Sequence, residues 1–248
     1  VVGAPDLARD LLALVPLPAA GPARLWWVSL AVSPEAAAEL RALLTEDERR
    51  RADGYPHAAR GRRFAHGRAA LRLLLGAAVS RDPRALRFSS NADGKPSLLE
   101  PLASSGGAPP EFNLSHAHDF ALIAVSAEGP LGVDLSAVDR TLPVDKVAPR
   151  FFSAVERAAL DSAPTHDARC DRFARLWVRK EAWLKGVGTG ISERMRQTDF
   201  SAGIDRPVGD PATALPIEVE GWEVRDVAGV PDGYRAAVAT RRGEGAAG

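Results

Sequence analysis

In 248 residues there are one cysteine, one methionine, two tyrosines and four lysines. A single cysteine, Cys170, excludes an intrachain disulfide and suits a reducing compartment. No apolar run approaches the ~20 residues that a membrane-spanning helix needs. Charge of neither sign is in excess: 32 basic and 32 acidic residues cancel, so no global field draws the chain to nucleic acid or to a membrane. No Cys/His spacing suits zinc. No Gly-Lys-Ser/Thr phosphate loop and no Gly-x-Ser-x-Gly nucleophile elbow occurs. The N-terminus has neither an initiator Met nor the charged-then-apolar start of a signal peptide. The expectation is a trimmed cytoplasmic chain. Hydrophobic residues make up 46%, enough for a sizeable core without staples.

The lysine scarcity is informative because arginine is plentiful: 28 Arg stand against Lys95, Lys146, Lys180 and Lys185. Lysine offers a compact, mobile ammonium where arginine offers a planar fork. Two of the four lie in Arg172–Ile191, RFARLWVRKEAWLKGVGTGI. Phe173, Leu176, Trp177 and Leu184 recur there at helical spacing, and Gly186 and Gly188 supply the stop. Trp177, Glu181 and Lys185 follow at i, i+4 and i+8, so they share a face. A Glu–Lys pair at this spacing is commonly an ordinary surface pair worth ~0.2–0.5 kcal/mol. Its surroundings decide whether it is more.

Along the chain, residues 1–23 read as a short helix or an extended arm. Arg24–Val32 reads as a first strand. Ser33-Pro34-Glu35 starts a helix running to Leu44, and Thr45-x-x-Glu48 is a capping box opening another. Residues 49–72 hold eight Arg and one acid, Asp53, either a solvated basic face or a polyanion site. A helix is expected from Arg60 to Ala78. Leu86–Ser89 is a candidate short strand, 91–96 a turn, and 101–111 a low-complexity loop. Phe120–Ser126 reads as a central strand, joined through Glu128-Gly-Pro130 to Leu131–Asp134 as an antiparallel hairpin. Ser153-x-x-Glu156 is a second capping box, so Glu156 reads as a cap. Ala163–Ala168 reads as a loop before a helix over 172–185. Asp199–Ser201, Ile217–Val219, Trp222–Val227 and Tyr234–Thr240 read as strands, and the tail from Arg241 as disordered.

A weak repeat, Arg62-Arg63-Phe64-Ala65 and Arg172-Phe173-Ala174-Arg175, implies an α+β fold of two pseudo-symmetric halves, 1–129 and 130–240, followed by the 241–248 tail. The ligand cleft would lie between the halves. Asp134, Glu181 and the basic groups around Arg63, Lys95 and His116 should face it. Two carboxylates with room for water and phosphate oxygens suit Mg²⁺. The residues alone point to a Mg²⁺-dependent site for a phosphorylated, multiply anionic small molecule.

Five motifs in order carry a resemblance: Asp93-Gly-Lys-Pro96, Phe112-Asn-Leu-Ser-His116, Gly132-Val-Asp134, Phe151-Phe-Ser153, and Trp177-x-x-Lys180-Glu-Ala182-x-x-Lys185 with Gly188-x-Gly190. Together they resemble the Sfp-type 4′-phosphopantetheinyl transferases over residues 45–200. The resemblance implies an enzyme of the holo-acyl-carrier-protein synthase type. It would transfer phosphopantetheine from CoA, with Mg²⁺, to a serine of an apo acyl or peptidyl carrier protein of secondary metabolism, releasing 3′,5′-ADP. By resemblance Asp134 and Glu181 would hold Mg²⁺, and Glu181 would help deprotonate the serine. Lys185 would sit by the pyrophosphate with Lys180 nearby. Ser115, His116, Arg63 and Arg51 would hold the CoA phosphates, and Gly94, Lys95 and Pro96 would border the adenine. A monomer is expected, with neither nucleic acid nor membrane as partner. One position departs from the pattern: Ser136 stands where many bacterial members carry a second acid, with water expected to fill the metal position. The alternatives are a non-catalytic CoA or carrier-protein binder, motivated by Ser136, and a nucleic-acid binder using Arg49–Arg72.

Overall fold

The computed structural model describes residues 12–91, 94–99, 108–189, 193–206 and 216–242. Residues 1–11 of the expected helix or arm, the expected turn residue Asp93, part of the low-complexity loop (101–107), Gly190 and residues 243–248 of the tail lie outside the described residues; Arg241, read as the start of a disordered tail, instead pairs with Trp222 in a sheet.

Strands β1 (Leu14–Ala20), β2 (Ala23–Ser29), β5 (Glu111–Ala117) and β6 (Phe120–Ser126) form one antiparallel sheet in the order β1-β2-β6-β5. Strand β1 falls within the region read as a helix or an arm. Its Pro16 and Pro18 cannot donate to a ladder, which an edge strand tolerates. Helices α1 (Pro34–Ala42), α2 (Glu46–Asp53) and α3 (Ala58–Ala78) follow β2. The Thr45–Glu48 capping box starts α2: Glu48 N donates to Thr45 Oγ1 at 3.3 Å and Thr45 N donates to Glu48 Oε2 at 3.0 Å. Strands β3 (Phe88–Ser90) and β4 (Pro96–Leu98) make a small ribbon around the 91–96 turn.

The second sheet is β7 (Leu131–Ala137), β10 (Tyr234–Arg241), β9 (Trp222–Asp226) and β8 (Ile217–Val219), in the order β7-β10-β9-β8. Helices α4 (Val144–Phe151), α5 (Ala154–Asp161), α6 (His166–Val187) and α7 (Arg194–Gln197) lie between β7 and β8 in sequence.

Three apolar clusters order these parts into layers. Leu71, Leu74 and Leu75 of α3 pack with Val28 and Ile123 on one face of the first sheet. Leu25, Trp27 and Leu122 on its other face meet Val133, Leu135 and Val238 of the second sheet. Leu176, Trp183 and Leu184 of α6 cover the far face of the second sheet with Trp222 and Val224. The result is helix, sheet, sheet, helix, and each four-stranded sheet carries one long helix. Full burial of side chains such as Trp183 and Leu122 is worth ~1.5–3 kcal/mol each.

Several sequence expectations are corrected. β6 and β7 are not a hairpin: both edges of β6 are taken by β2 and β5, so β7 opens the other sheet and pairs with β10. The first long strand stops at Ser29, where the chain turns and Leu30 N donates to Asp119 O. Ala163–Ala168 is not all loop. Thr165 Oγ1 accepts from Ala168 N and starts α6 at His166 rather than at Arg172. Asp199–Ser201 is a side-chain-closed turn, with Ser201 N and Oγ donating to the Asp199 carboxylate. Gly186 does not stop α6; Gly188 does, at φ 82°. Gly186 stays helical because it lies against Gly132 and the Trp222 ring.

Candidate active site

Strands β5 and β7, each at an edge of its sheet, lie side by side, and side chains of β5 bind β7. Asn113 and Ser115 are two apart, so they project to the same face. Asn113 Oδ1 accepts from Val133 N at 3.0 Å. Ser115 Oγ donates to Asp134 Oδ1 at 2.7 Å. The first half thus holds a carboxylate of the second. Behind β7, α6 comes close enough that Gly132 has no room for a side chain, which brings the last turns of α6 to Asp134. Lys185 Nζ donates to Asp134 Oδ1 at 2.6 Å and to Ser115 Oγ at 3.0 Å.

Glu181, one turn before Lys185, completes the group. Its Oε1 is buried without a hydrogen-bond partner. Burial first, then the nearby Asp134 charge, pushes its pKa up, against the pull of Lys185. An unpartnered buried carboxylate oxygen is costly, and a hard cation would relieve it. Two carboxylates suffice for Mg²⁺ when a phosphate substrate and water complete its shell, so the donor set fits that ion. Among the described residues no cluster of three or more His, Cys, Asp or Glu exists to hold a metal. Ser136 lies two residues beyond Asp134 on the same face and donates to Ala137 O at 3.2 Å.

Beside this group opens a cavity of about 520 Å³. Arg60, Arg63, His116 and His118 supply cationic or titratable walls, and Phe64 and Pro96 flat apolar ones. Arg63 is steadied by Asp119 at 2.8 Å. The His116 ring is exposed by surface area, yet partial desolvation and the nearby Lys185, Arg63 and Arg60 charges outweigh Asp134 and lower its pKa. Arg51 reaches the cavity only as a guanidinium 4.9 Å over the Phe64 ring.

Asp134, Glu181, Lys185 and Ser115 therefore meet, with His116, Arg63 and Pro96 next to them. Other expected site residues go elsewhere. Lys180 is fully buried, paired with Glu156 at 2.8 Å and bonded to the carbonyls of Met195 and Thr198. It lies on the far side of α6 from Lys185 and anchors the fold instead of facing phosphate. Lys95 Nζ donates to Leu131 O and Gly186 O and so ties the 91–96 turn to β7 and α6. Ser115 is turned to Asp134 and buried. Gly94 sits at φ 82° in open space. Glu156 is the cap it was read as, and also the Lys180 partner. The Arg49–Arg72 stretch is largely spent on structure: Arg49 binds Glu46, Arg50 binds Asp47, Arg63 binds Asp119, and buried Arg72 binds Glu48. Asn113, Arg60 and His118 were missed. Asn113 lay inside the Phe-Asn-Leu-Ser-His motif, whereas nothing in the sequence marks His118.

The chain is 36% identical over 169 residues to the 4′-phosphopantetheinyl transferase HetI of Nostoc sp., covering 68% of this chain and 70% of that protein. It belongs to the 4′-phosphopantetheinyl transferase family. The model of the 4′-phosphopantetheinyl transferase superfamily matches residues 130–239, which include Asp134, Glu181 and Lys185. The 4′-phosphopantetheinyl transferase Sfp of Bacillus subtilis is 34% identical over 141 residues, 53% of this chain and 58% of that protein. A putative 4′-phosphopantetheinyl transferase of Synechocystis sp. is 36% identical over 157 residues, 63% and 62% of the two chains. The last two are each matched over less than two thirds of their own length. The relatives are of the HetI and Sfp kind rather than holo-acyl-carrier-protein synthases. The α+β layers fit membership of the transferase family. Among the described residues, no helix is long and apolar enough to cross a membrane.

Proposed function

We propose that this chain transfers 4′-phosphopantetheine from CoA to a serine hydroxyl of an apo acyl or peptidyl carrier protein, with Mg²⁺, releasing 3′,5′-ADP. The observation that carries the reading is the pairing of Asp134 with the unpartnered Glu181 carboxylate beside a basic, flat-walled cavity. The first half supplies the nucleotide side, with His116, Arg63 and Pro96 facing the phosphates and base. The second half supplies the charged group on β7 and α6.

Asp134 and Glu181 would hold Mg²⁺. When bound, the ion neutralises charge on the pyrophosphate oxygens. The serine Oγ forms a bond to the β-phosphorus of CoA as the bond to the 3′,5′-ADP oxygen breaks. The serine proton passes to Glu181, directly or through a water. The Lys185 ammonium, 2.6 Å from Asp134, is placed to neutralise charge on the departing pyrophosphate oxygens. Such a reaction depends on positioning and charge more than on covalent chemistry.

The test is the intact mass of an apo carrier protein incubated with the chain, CoA and Mg²⁺. A phosphopantetheine-sized gain, lost with Glu181→Ala and lost without Mg²⁺, is expected. Ser136 in place of a second acid favours a different outcome, a protein that binds CoA without turnover. Measurable CoA binding with no mass gain on several carriers would establish that second reading.

A further inference from the structure

We propose that Ser115 is a positioning residue for the metal carboxylate and not a ligand of the CoA phosphates. The inference rests on the reading of Asp134 and Glu181 as the Mg²⁺ pair. Three observations carry it. Ser115 is 5% exposed, so its hydroxyl is not presented to the cavity that His116 and Arg63 line. Its one proton is donated to Asp134 Oδ1 at 2.7 Å, while its oxygen accepts from Lys185 Nζ at 3.0 Å. Lys185 Nζ donates to that same Asp134 oxygen at 2.6 Å.

The three groups form a closed triangle across the seam of the two sheets. A carboxylate held by one donor can still rotate about its Cβ–Cγ bond. Two donors converging on one oxygen fix that rotation. Among the described residues no hydrogen bond reaches Asp134 Oδ2, which leaves that oxygen for a cation. Asn113 supports the arrangement from two residues away by accepting from Val133 N, which fixes the backbone just before Asp134. Partners of this kind commonly change metal affinity 10–100-fold when removed, without touching the ion. The first half therefore sets the aim of a ligand carried by the second.

The experiment separates this role from a phosphate-binding one. Mn²⁺ affinity is read by electron paramagnetic resonance on the full chain with saturating CoA. CoA affinity is read by calorimetry without metal. Ser115→Ala is expected to weaken Mn²⁺ about tenfold and to leave metal-free CoA affinity within about twofold. Ser115→Thr, which keeps the hydroxyl, is expected to restore Mn²⁺ binding, and circular dichroism checks that both variants fold. A Ser115→Ala variant that loses CoA affinity and keeps Mn²⁺ affinity overturns the proposal in favour of a phosphate ligand. Unchanged values for both overturn it in favour of a space-filling serine. The wild-type arm tests the metal reading separately: absence of Mn²⁺ binding there, with CoA bound, removes that reading and this one together.

Discussion

A Cβ placed on Gly132 would lie 2.8 Å from the Cα of Gly186 and would overlap that residue's backbone nitrogen and the carbonyl of Ala182. Strand β7 and helix α6 touch there through backbone alone. Their separation sets where Glu181 and Lys185 stand relative to Asp134, two residues along the strand. Gly132→Ala is expected to push the helix outward, at a cost of ~1–3 kcal/mol or more for overpacking a closed contact. A lowered urea midpoint, with a larger proportional loss of transferase rate in the fraction still folded, is the expected result. An unchanged midpoint would mean that the contact yields freely.

The raised pKa of Glu181 has a sign that can be measured on stability. Burial, then Asp134, disfavours its charged form in the folded chain. The folded state therefore binds the proton more tightly than the unfolded state does, and this carboxyl weakens folding as pH rises through and above the ordinary carboxylate range. In metal-free protein, Glu181→Gln is expected to raise the thermal midpoint at pH 8 and to have little effect near pH 4. Adding Mg²⁺ to the CoA-bound protein should stabilise the wild type more than the variant. Transferase rate should fall by about 10²–10⁴ if Glu181 accepts the serine proton. A variant less stable than wild type at pH 8 would contradict the assignment of an unpaired buried charge.

Glu156 and Lys180 are both fully buried and 2.8 Å apart. Burial raises the pKa of the acid and lowers that of the amine, their mutual attraction opposing each shift. Glu156 also caps α5 and accepts from Phe200 N at 2.9 Å, so it joins three segments. Lys180→Met leaves the carboxylate without its counter-charge, and a loss of ~3–5 kcal/mol is expected. Combining it with Glu156→Gln should recover part of that loss. A simple sum of the two single losses in a denaturation cycle would show the residues to be uncoupled.

Much of this arrangement was legible because local chemistry dictates it. The two capping boxes at Thr45 and Ser153 and the i, i+4 placement of Glu181 and Lys185 follow from spacing, whereas the strand read as ending on Asp134 runs on to Ala137. What was illegible depends on partners distant in sequence. The short 127–130 connection reads as a hairpin until β2 and β5 are seen to occupy both edges of β6. Lys95 and Lys180 sit in motifs, and only the packed structure shows their ammonium groups on carbonyls and on Glu156. Gly186 reads as a helix stop because the Trp222 ring that excludes a side chain there comes from a strand 36 positions later. The Arg49–Arg72 charge reads as one basic face until Glu48 is found beside buried Arg72, with Arg60 and Arg63 left on the cavity wall.

Ser136 offers the sharpest test of how few charges the site needs. It lies on the same face of β7 as Asp134, half-buried, and bonds only to the carbonyl of Ala137 among the described residues. Its cross-strand neighbour is Arg235, which pairs with Asp171 of α6. Ser136→Glu would set a third carboxylate toward α6 near a guanidinium able to offset part of its charge. Metal sites gain affinity with ligand charge, so the Mg²⁺ concentration for half-maximal rate is expected to fall several-fold, with CoA affinity unchanged. The added acid also raises the repulsion that Glu181 feels, so metal-free protein should become less stable as pH rises above the ordinary carboxylate range and recover on adding Mg²⁺. If the half-maximal Mg²⁺ concentration instead rises or stays the same, the position does not face the metal, and the two-carboxylate set of Asp134 and Glu181 is complete as it stands.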